Sequence, residues 1–309
     1  MTPLEHLFPN LMLVRAISLP HRVDLPGTWA GVRRGRHDLS VRTEASVVWR
    51  ATRNAAGPVT LRFEAVGAGV EATAWGPGAE LALDTAPAMI GAEDDDGGFR
   101  PRHPLLARLW RDLGDHRIPR TGAVYETLVS VVLEQRVTTF EARRAQRQVT
   151  RRWGEPAPGP GGLLLPPDPD VLADVPYYDL HVLGVEQARA DTLRRVAASA
   201  NRLDALVGLD LDEAWDRLRA LPGIGPWTAA ETALVALGDP DAVPVGDAHL
   251  PADVTYALTG TAVDDDDVML DELEPYRGQR GRVIRLIVAA GIRAPRRSPR
   301  YAPRDIRAD

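Results

Sequence analysis

The chain has 309 residues, a formal net charge of −6, 44% apolar residues and no cysteine, and all 37 of its basic residues are arginine. That composition excludes disulfides, thiolate zinc sites, cysteine-ligated iron–sulfur clusters and any Schiff base formed by a lysine amine. The length suits two domains, or one large helical domain with a smaller appendage, and no apolar run is long enough to cross a bilayer.

The opening stretch "MTPLEHLFPNLMLVRAISLP" carries a short apolar patch without a basic leader or a small-residue cleavage site, so the expected location is the cytoplasm. The segments "LSVRTEASVVWRAT" and "VTLRFEAVGAGVEATAWG" then alternate apolar and polar residues between Gly-Pro breaks, which is the period of half-buried antiparallel strands. Residues 1–100 are therefore expected to form a small antiparallel β-sheet domain with no catalytic residues of its own, and "GAEDDDGGFRPRHP" marks its end. Charge runs of this kind, including Asp94–Asp96 and Asp264–Asp267, read as loops or helix starts on a solvated face.

From Pro104 the period becomes helical and the strand signal does not return. "PLLARLWRDLGDH", "GAVYETLVSVVLEQ" and "TFEARRAQRQVTRRW" repeat apolar positions every three or four residues. The Pro/Gly-rich "GEPAPGPGGLLLPPDPD" reads as a surface loop, and helices resume with "DPDVLADV" and "VEQARADTLRRVAASANRLDAL". The fold class is thus α+β: the sheet domain, a mostly helical region over 101–295, and a basic, Pro-rich tail over 296–309. Arginine is unevenly spread, with six between positions 136 and 152 against one Glu. A segment of that kind attracts a polyanion despite the acidic total.

"LDEAWDRLRAL" places Leu211, Trp215, Leu218 and Leu221 on one helical face, and Pro226 suits the first position of the next helix. Between them, Gly223 and Gly225 permit positive φ and leave no Cβ in the way of an approaching surface. Ile224 can plug between the two helices, which leaves the N–H groups of Gly223, Gly225 and Thr228 at a helix start, where a phosphate binds. A tight turn that binds nothing has the same outline. Twenty residues after Trp227, Asp247 follows a glycine and precedes an apolar-periodic helix, so it can serve as a helix cap or as a chemically active carboxylate.

The stretch "LPGIG" resembles the helix-hairpin-helix motif at every position. Hairpin, helix, loop and aspartate in this order resemble the helix-hairpin-helix DNA glycosylase superfamily, and within it the 3-methyladenine DNA glycosylase II family. The resemblance implies a hairpin grip on a DNA phosphate through Leu221, Pro222, Gly223, Ile224, Gly225 and Thr228. It also implies a sodium or potassium ion on the carbonyls of Arg219, Leu221 and Ile224, with no other cofactor. Asp247 becomes the catalytic carboxylate, stabilising an oxocarbenium-like sugar or activating water, and the base is flipped out to reach it. Strand-nicking members carry a lysine where this chain has Trp227, so a monofunctional enzyme is implied.

"VSVVLEQRVTTF" is similar to the segment that fills the gap left by the flipped base, with Gln135 and Arg136 at the matching positions, although Arg136 replaces an apolar wedge. "EPYRGQRGRVIRLI" is similar to the family's "PWRS" helix, with Arg277 as a DNA contact and Tyr276 beside it. Trp227 is the aromatic wall of the base pocket. Glu231 stands where a second aromatic is frequent, Arg282 and Arg285 stand where another is expected, and His249 is a further pocket candidate. Tyr125, Tyr177 and Tyr178 read as core or rim.

The expected protein is a monomeric glycosylase for alkylated bases acting on duplex DNA, with no membrane partner. Two other readings stay open: a hairpin DNA-binding protein without excision activity, and a monofunctional glycosylase for uracil, hypoxanthine or an oxidised purine.

Overall fold

The computed structural model describes residues 12–295; the expected basic tail over 296–309 lies outside the described residues. The first part is a five-stranded antiparallel sheet of β1 (Met12–Ser18), β2 (Val41–Glu44), β3 (Val47–Asn54), β4 (Gly57–Val66) and β5 (Gly69–Trp75), in the spatial order β1-β5-β4-β3-β2. The alternation read from the sequence sets its faces: Val59, Leu61 and Phe63 of β4 point into a core with Val48, Ala72 and Ala74. Two helices cover that face, α1 (Leu25–Trp29) and α2 (Ala79–Met89), and Trp29 lies fully buried against Phe63.

The helical part follows as α3 (Pro104–Leu113), α4 (Val124–Glu134), α5 (Thr139–Trp153), α6 (Pro169–Asp174), α7 (Tyr177–His181), α8 (Gln187–Ala198), α9 (Ala200–Asp204), α10 (Leu211–Arg219), α11 (Pro226–Thr232), α12 (Leu250–Thr259), α13 (Asp266–Leu273) and α14 (Arg280–Ala289). It encloses two separate apolar cores. One is built by α4 to α11 around residues such as Leu128, Leu193, Leu218 and Ala229. The other gathers Phe99, α3 and α12 to α14 around Leu106, Val254, Met269 and Ile287. The chain therefore enters the second core, leaves to build the first, and returns. No helix among the described residues is long and apolar enough to cross a membrane.

Several local expectations are corrected. The long helix expected over "VEQARADTLRRVAASANRLDAL" is interrupted at Ser199 into α8 and α9. Leu211 is exposed rather than on the packed face of α10, whereas Leu218 is fully buried and Trp215 and Leu221 pack against the core from its edge. The Pro/Gly-rich loop is a packed strap: it runs over the outer face of the sheet, buries Leu163 and Leu165 with Ala51, and passes Gly159 and Gly161 over the stacked rings of Trp75 and Trp49. Glycine is required at 159, where φ is +77° and a Cβ would run into Trp75, while a Cβ at 161 would press on Trp49 at 3.2 Å.

The acidic run Asp94–Asp96 is also not simply solvated. Asp94 is buried in a two-pronged ion pair with Arg282 of α14 (2.6 and 2.9 Å), and the two side chains are 3% and 2% exposed. The expected position of Arg282 among pocket residues is thereby corrected: its guanidinium faces Asp94 and the Gln279 side chain. A second buried carboxylate, Glu126 of α4, accepts from Arg50 (2.6 Å), Thr52 (2.8 Å) and the Arg53 backbone (3.0 Å), fastening the sheet to the helices. Breaking a buried pair from one side strands a charge, whereas replacing both partners by apolar groups does not. Arg282→Met is therefore expected to lower stability by about 3–5 kcal/mol. Arg282→Met with Asp94→Leu should recover most of that loss, as read by denaturant unfolding.

Candidate active site

The hairpin forms as the glycine spacing requires. After α10, the Leu221 N–H reaches the Leu218 carbonyl (3.2 Å), the Ile224 N–H reaches the Leu221 carbonyl (3.0 Å), and α11 starts on Pro226. Ile224 is buried in the helical core. Gly223 sits at φ +94°, and a Cβ there would run into the Thr192 side chain. Gly225 differs from expectation: its backbone is extended (φ −86°, ψ 179°) and a Cβ there would meet nothing within 4 Å. Its small size leaves open space in front of the helix start. Among the described residues, the N–H groups of Gly223, Gly225 and Thr228 donate to no protein group.

Side chains that the motif does not contain brace this turn. Gln135, just past α4, donates from Nε2 to the Gly223 carbonyl (3.0 Å) and to Thr228 Oγ1 (2.8 Å). Arg195 of α8 donates from Nε to the Pro222 carbonyl (3.2 Å) and holds Thr192 Oγ1 (3.0 Å). Next to Gln135, Arg136 is exposed and held at φ +55°, a left-handed conformation uncommon for a residue with a side chain. Its neighbours Arg143, Arg144, Arg147 and Arg151 on α5 make no ion pair among the described residues. A row of uncompensated guanidinium groups thus continues from the hairpin. Arg277 is different, since it lies exposed in a pair with Glu274 (2.8 Å). Tyr276 packs near Phe99, their ring centroids 6.1 Å apart.

Asp247 stands across from the start of α11. Its Oδ1 accepts from the backbone N–H groups of His249 (2.8 Å) and Leu250 (2.9 Å), so it caps α12, and its Oδ2 accepts from Trp227 Nε1 (3.0 Å). Three neutral donors orient the carboxylate, and no cation lies within ion-pair distance of it among the described residues. The preceding Gly246, at φ +89°, donates to Asp266 (2.9 Å) and turns the chain into this position. His249 enters the site through its backbone N–H, and its ring is exposed.

One helical turn after Trp227, Glu231 shares the same face of α11. Burial pushes its carboxyl up to about 7; Arg34 and Arg285 oppose the rise, while Glu134 and Asp247 add to it. Arg285 of α14 reaches from Nη2 to the carbonyl of Thr28 in α1 (3.2 Å), and burial lowers its guanidinium to about 10, still a cation at neutral pH. Arg34, in the loop after α1, pairs with Glu134 at the end of α4 (3.2 Å). The structure therefore brings Trp227, Glu231, Asp247 and Arg285 together where both helical cores meet the sheet domain. Arg34 and Glu134 were not legible as site residues, because an ion pair across a hundred residues leaves no periodic or spacing signal. The sheet domain, read as scaffold alone, supplies part of the wall. Tyr125 donates to the Pro167 carbonyl (3.0 Å) inside the core, Tyr177 contacts His181 (3.0 Å), and Tyr178 is exposed.

No protein-family model matches the chain. Over 140 residues it is 39% identical to the "probable bifunctional transcriptional activator/DNA repair enzyme AlkA" of Mycobacterium tuberculosis, covering 43% of this chain and 27% of that one. Over 131 residues it is 30% identical to "DNA-3-methyladenine glycosylase 2" of Escherichia coli, covering 42% of this chain and 46% of that one. The chain thus spans less than half the length of either relative. The solved 3-methyladenine DNA-glycosylase from Archaeoglobus fulgidus superposes with a TM-score of 0.75 at 17% identity, over 89% of this chain and 97% of that one.

The two glycines of the turn separate folding from surface access. Gly223→Ala should lower stability by about 1–3 kcal/mol, through its φ and the Thr192 collision. Gly225→Ala should stay within about 0.5–1 kcal/mol of the parent in the same unfolding assay. Over less than half its length the chain is thus similar in sequence to relatives named as DNA repair glycosylases, and its fold is that of the solved glycosylase.

Proposed function

We propose that the protein is a monofunctional DNA glycosylase that hydrolyses the N-glycosidic bond of alkylated bases of the 3-methyladenine type in duplex DNA, leaving an abasic site. The observation that carries this reading is the Asp247 carboxylate, fixed by three neutral donors, unpaired by any described cation, and joined to the indole of Trp227 at the first turn of the hairpin helix. Departure of the base leaves positive charge on the deoxyribose, and a carboxylate already oriented stabilises that charge without reorganising. The names of the mycobacterial and Escherichia coli relatives support repair of alkylated DNA.

The other parts take roles around that step. The free N–H groups of Gly223, Gly225 and Thr228 bind a backbone phosphate, and Gln135 holds the turn in shape for it. The unpaired arginines of α5 add sequence-independent attraction, and Arg136 enters the stack vacated by the flipped base. A cationic alkylated purine is attracted to the face of Trp227. With no lysine in the chain, water is the nucleophile at C1′.

A monovalent cation suits the hairpin as well. The carbonyls of Arg219 and Ile224 accept no hydrogen bond among the described residues and that of Leu221 accepts one, so the three would hold sodium or potassium. When bound, the ion supplies charge to offset the phosphate. The enzyme acts as a monomer on one lesion, in the cytoplasm at the nucleoid.

Asp247→Asn keeps the shape and removes the charge. Release of 3-methyladenine from methylated duplex DNA should fall by at least about 100-fold, while affinity for the same duplex stays within a few-fold of the parent. Release at the parental rate would overturn the assignment of Asp247. Binding without any release by the parent protein would mark a DNA-binding protein instead.

A further inference from the structure

The acidic run Asp264–Asp267 holds one residue that does not belong to a solvated face. Asp264, Asp265 and Asp267 are exposed, and Asp265 caps α13 by accepting from the N–H groups of Asp267 (2.8 Å) and Val268 (3.2 Å). Asp266 is engaged elsewhere. Its Oδ2 accepts from the Gly246 N–H (2.9 Å), one residue before Asp247, and its Oδ1 is shut off from solvent with no hydrogen-bond partner among the described residues. A carboxylate oxygen in that state costs free energy, so stability alone gives no reason for an acid here.

Gly246 is the point at which the loop before α12 is held. Among the described residues, the N–H groups of Val245 and Asp247 bond to the carbonyls of Val243 (2.9 Å) and Pro244 (3.3 Å), inside the loop itself, and only the Gly246 N–H reaches another element. The backbone donors that orient Asp247, those of His249 and Leu250, belong to the start of α12. They fix how the carboxylate sits on its own helix, not where that helix start stands against Trp227 of α11. A Cβ at Gly246 would meet nothing within 4 Å, so glycine is needed there for its φ of +89° and not for space. Glycine adopts either sign of φ with equal ease, so an outside contact has to choose. Asp266 makes that choice from α13, which packs on α12 through Met269, Leu273 and Val254.

We infer that Asp266 is a positioning residue: by holding the Gly246 N–H it selects the backbone angle that brings the Asp247 carboxylate to the indole of Trp227 and to the sugar beside it. The inference rests on the glycosylase reading and deepens it. Asp266 touches no reacting atom and acts through Asp247 alone. Its effect is nevertheless large, because a displacement of about 1 Å at a group that stabilises a transition state costs about 100-fold in rate.

The test measures single-turnover release of 3-methyladenine from methylated duplex DNA, each rate normalised to the fraction of the same preparation that binds the duplex. Asp266→Ala should slow release about 10–100-fold while affinity for the duplex stays within about threefold of the parent. Asp266→Asn keeps the accepting oxygen and loses only the charge, so its rate should stay within about threefold of the parent. On an Asp247→Asn background, adding Asp266→Ala should change the residual rate by less than about threefold, because no carboxylate is left to position. A merely structural loss would lower the rate by the same factor on both backgrounds. Release by Asp266→Ala within about threefold of the parent, Asp266→Asn as slow as Asp266→Ala, or an equal fall on both backgrounds overturns the inference and leaves the glycosylase reading standing. A parent that releases no methylated base, or Asp247→Asn releasing it at the parental rate, overturns that reading and the inference with it.

Discussion

The buried pair between Asp94 and Arg282 is the constraint on which the rest of the molecule depends. Arg282 belongs to α14, and Asp94 belongs to the segment that leaves the sheet domain. Their desolvation is costly and is offset only when both prongs of the guanidinium meet the carboxylate, so the pair tolerates one arrangement of sheet against helix and penalises the others. Glu126 acts in the same way at α4, where it takes three donors from β3. With those two junctions set, Thr28 reaches Arg285 of α14, and Arg34 reaches Glu134 of α4 beside Glu231 of α11.

The site is electrostatically ordered as a result. The carboxylates that fasten the molecule together, Asp94 and Glu126, are each paired with arginine, and Asp247 is not. Asp247 is held by an indole and two amides, donors that fix its direction without cancelling its charge. A positive charge developing nearby would therefore feel a full carboxylate in a partly dehydrated setting, where its field is less screened than in water. The excess of acid over base in the whole chain is unevenly spread, because Arg143, Arg144, Arg147 and Arg151 of α5 make no ion pair among the described residues.

Much of this was legible from sequence where the signal is local. Alternation exposed the strands of the sheet domain, and the three-to-four spacing exposed the helices. "LPGIG" gave away the hairpin, because few residues other than glycine tolerate the φ of position 223 or the crowding against Thr192. Asp247 could be read because a cap must stand at a set distance before an apolar-periodic helix. What stayed hidden is what depends on contacts distant in the chain. Asp94 and Arg282 are 188 residues apart, and neither an acidic run nor an arginine on a helix announces a buried partner. The strap over Trp49 and Trp75 looked like an ordinary loop for the same reason: Gly159 is needed by the indole of Trp75 and Gly161 packs closely on that of Trp49, both in distant strands.

The contact of Arg285 with the Thr28 carbonyl joins α14 to α1 across 257 residues of sequence. The apolar core beneath it is likewise discontinuous, begun by α3 and completed by α12 to α14. During synthesis, then, the hairpin turn emerges from the ribosome before α14, which carries Arg285. A partly made chain therefore carries the hairpin and Asp247 without their later neighbour, and the grouping of Trp227, Glu231, Asp247 and Arg285 is completed as a single late event when α14 docks.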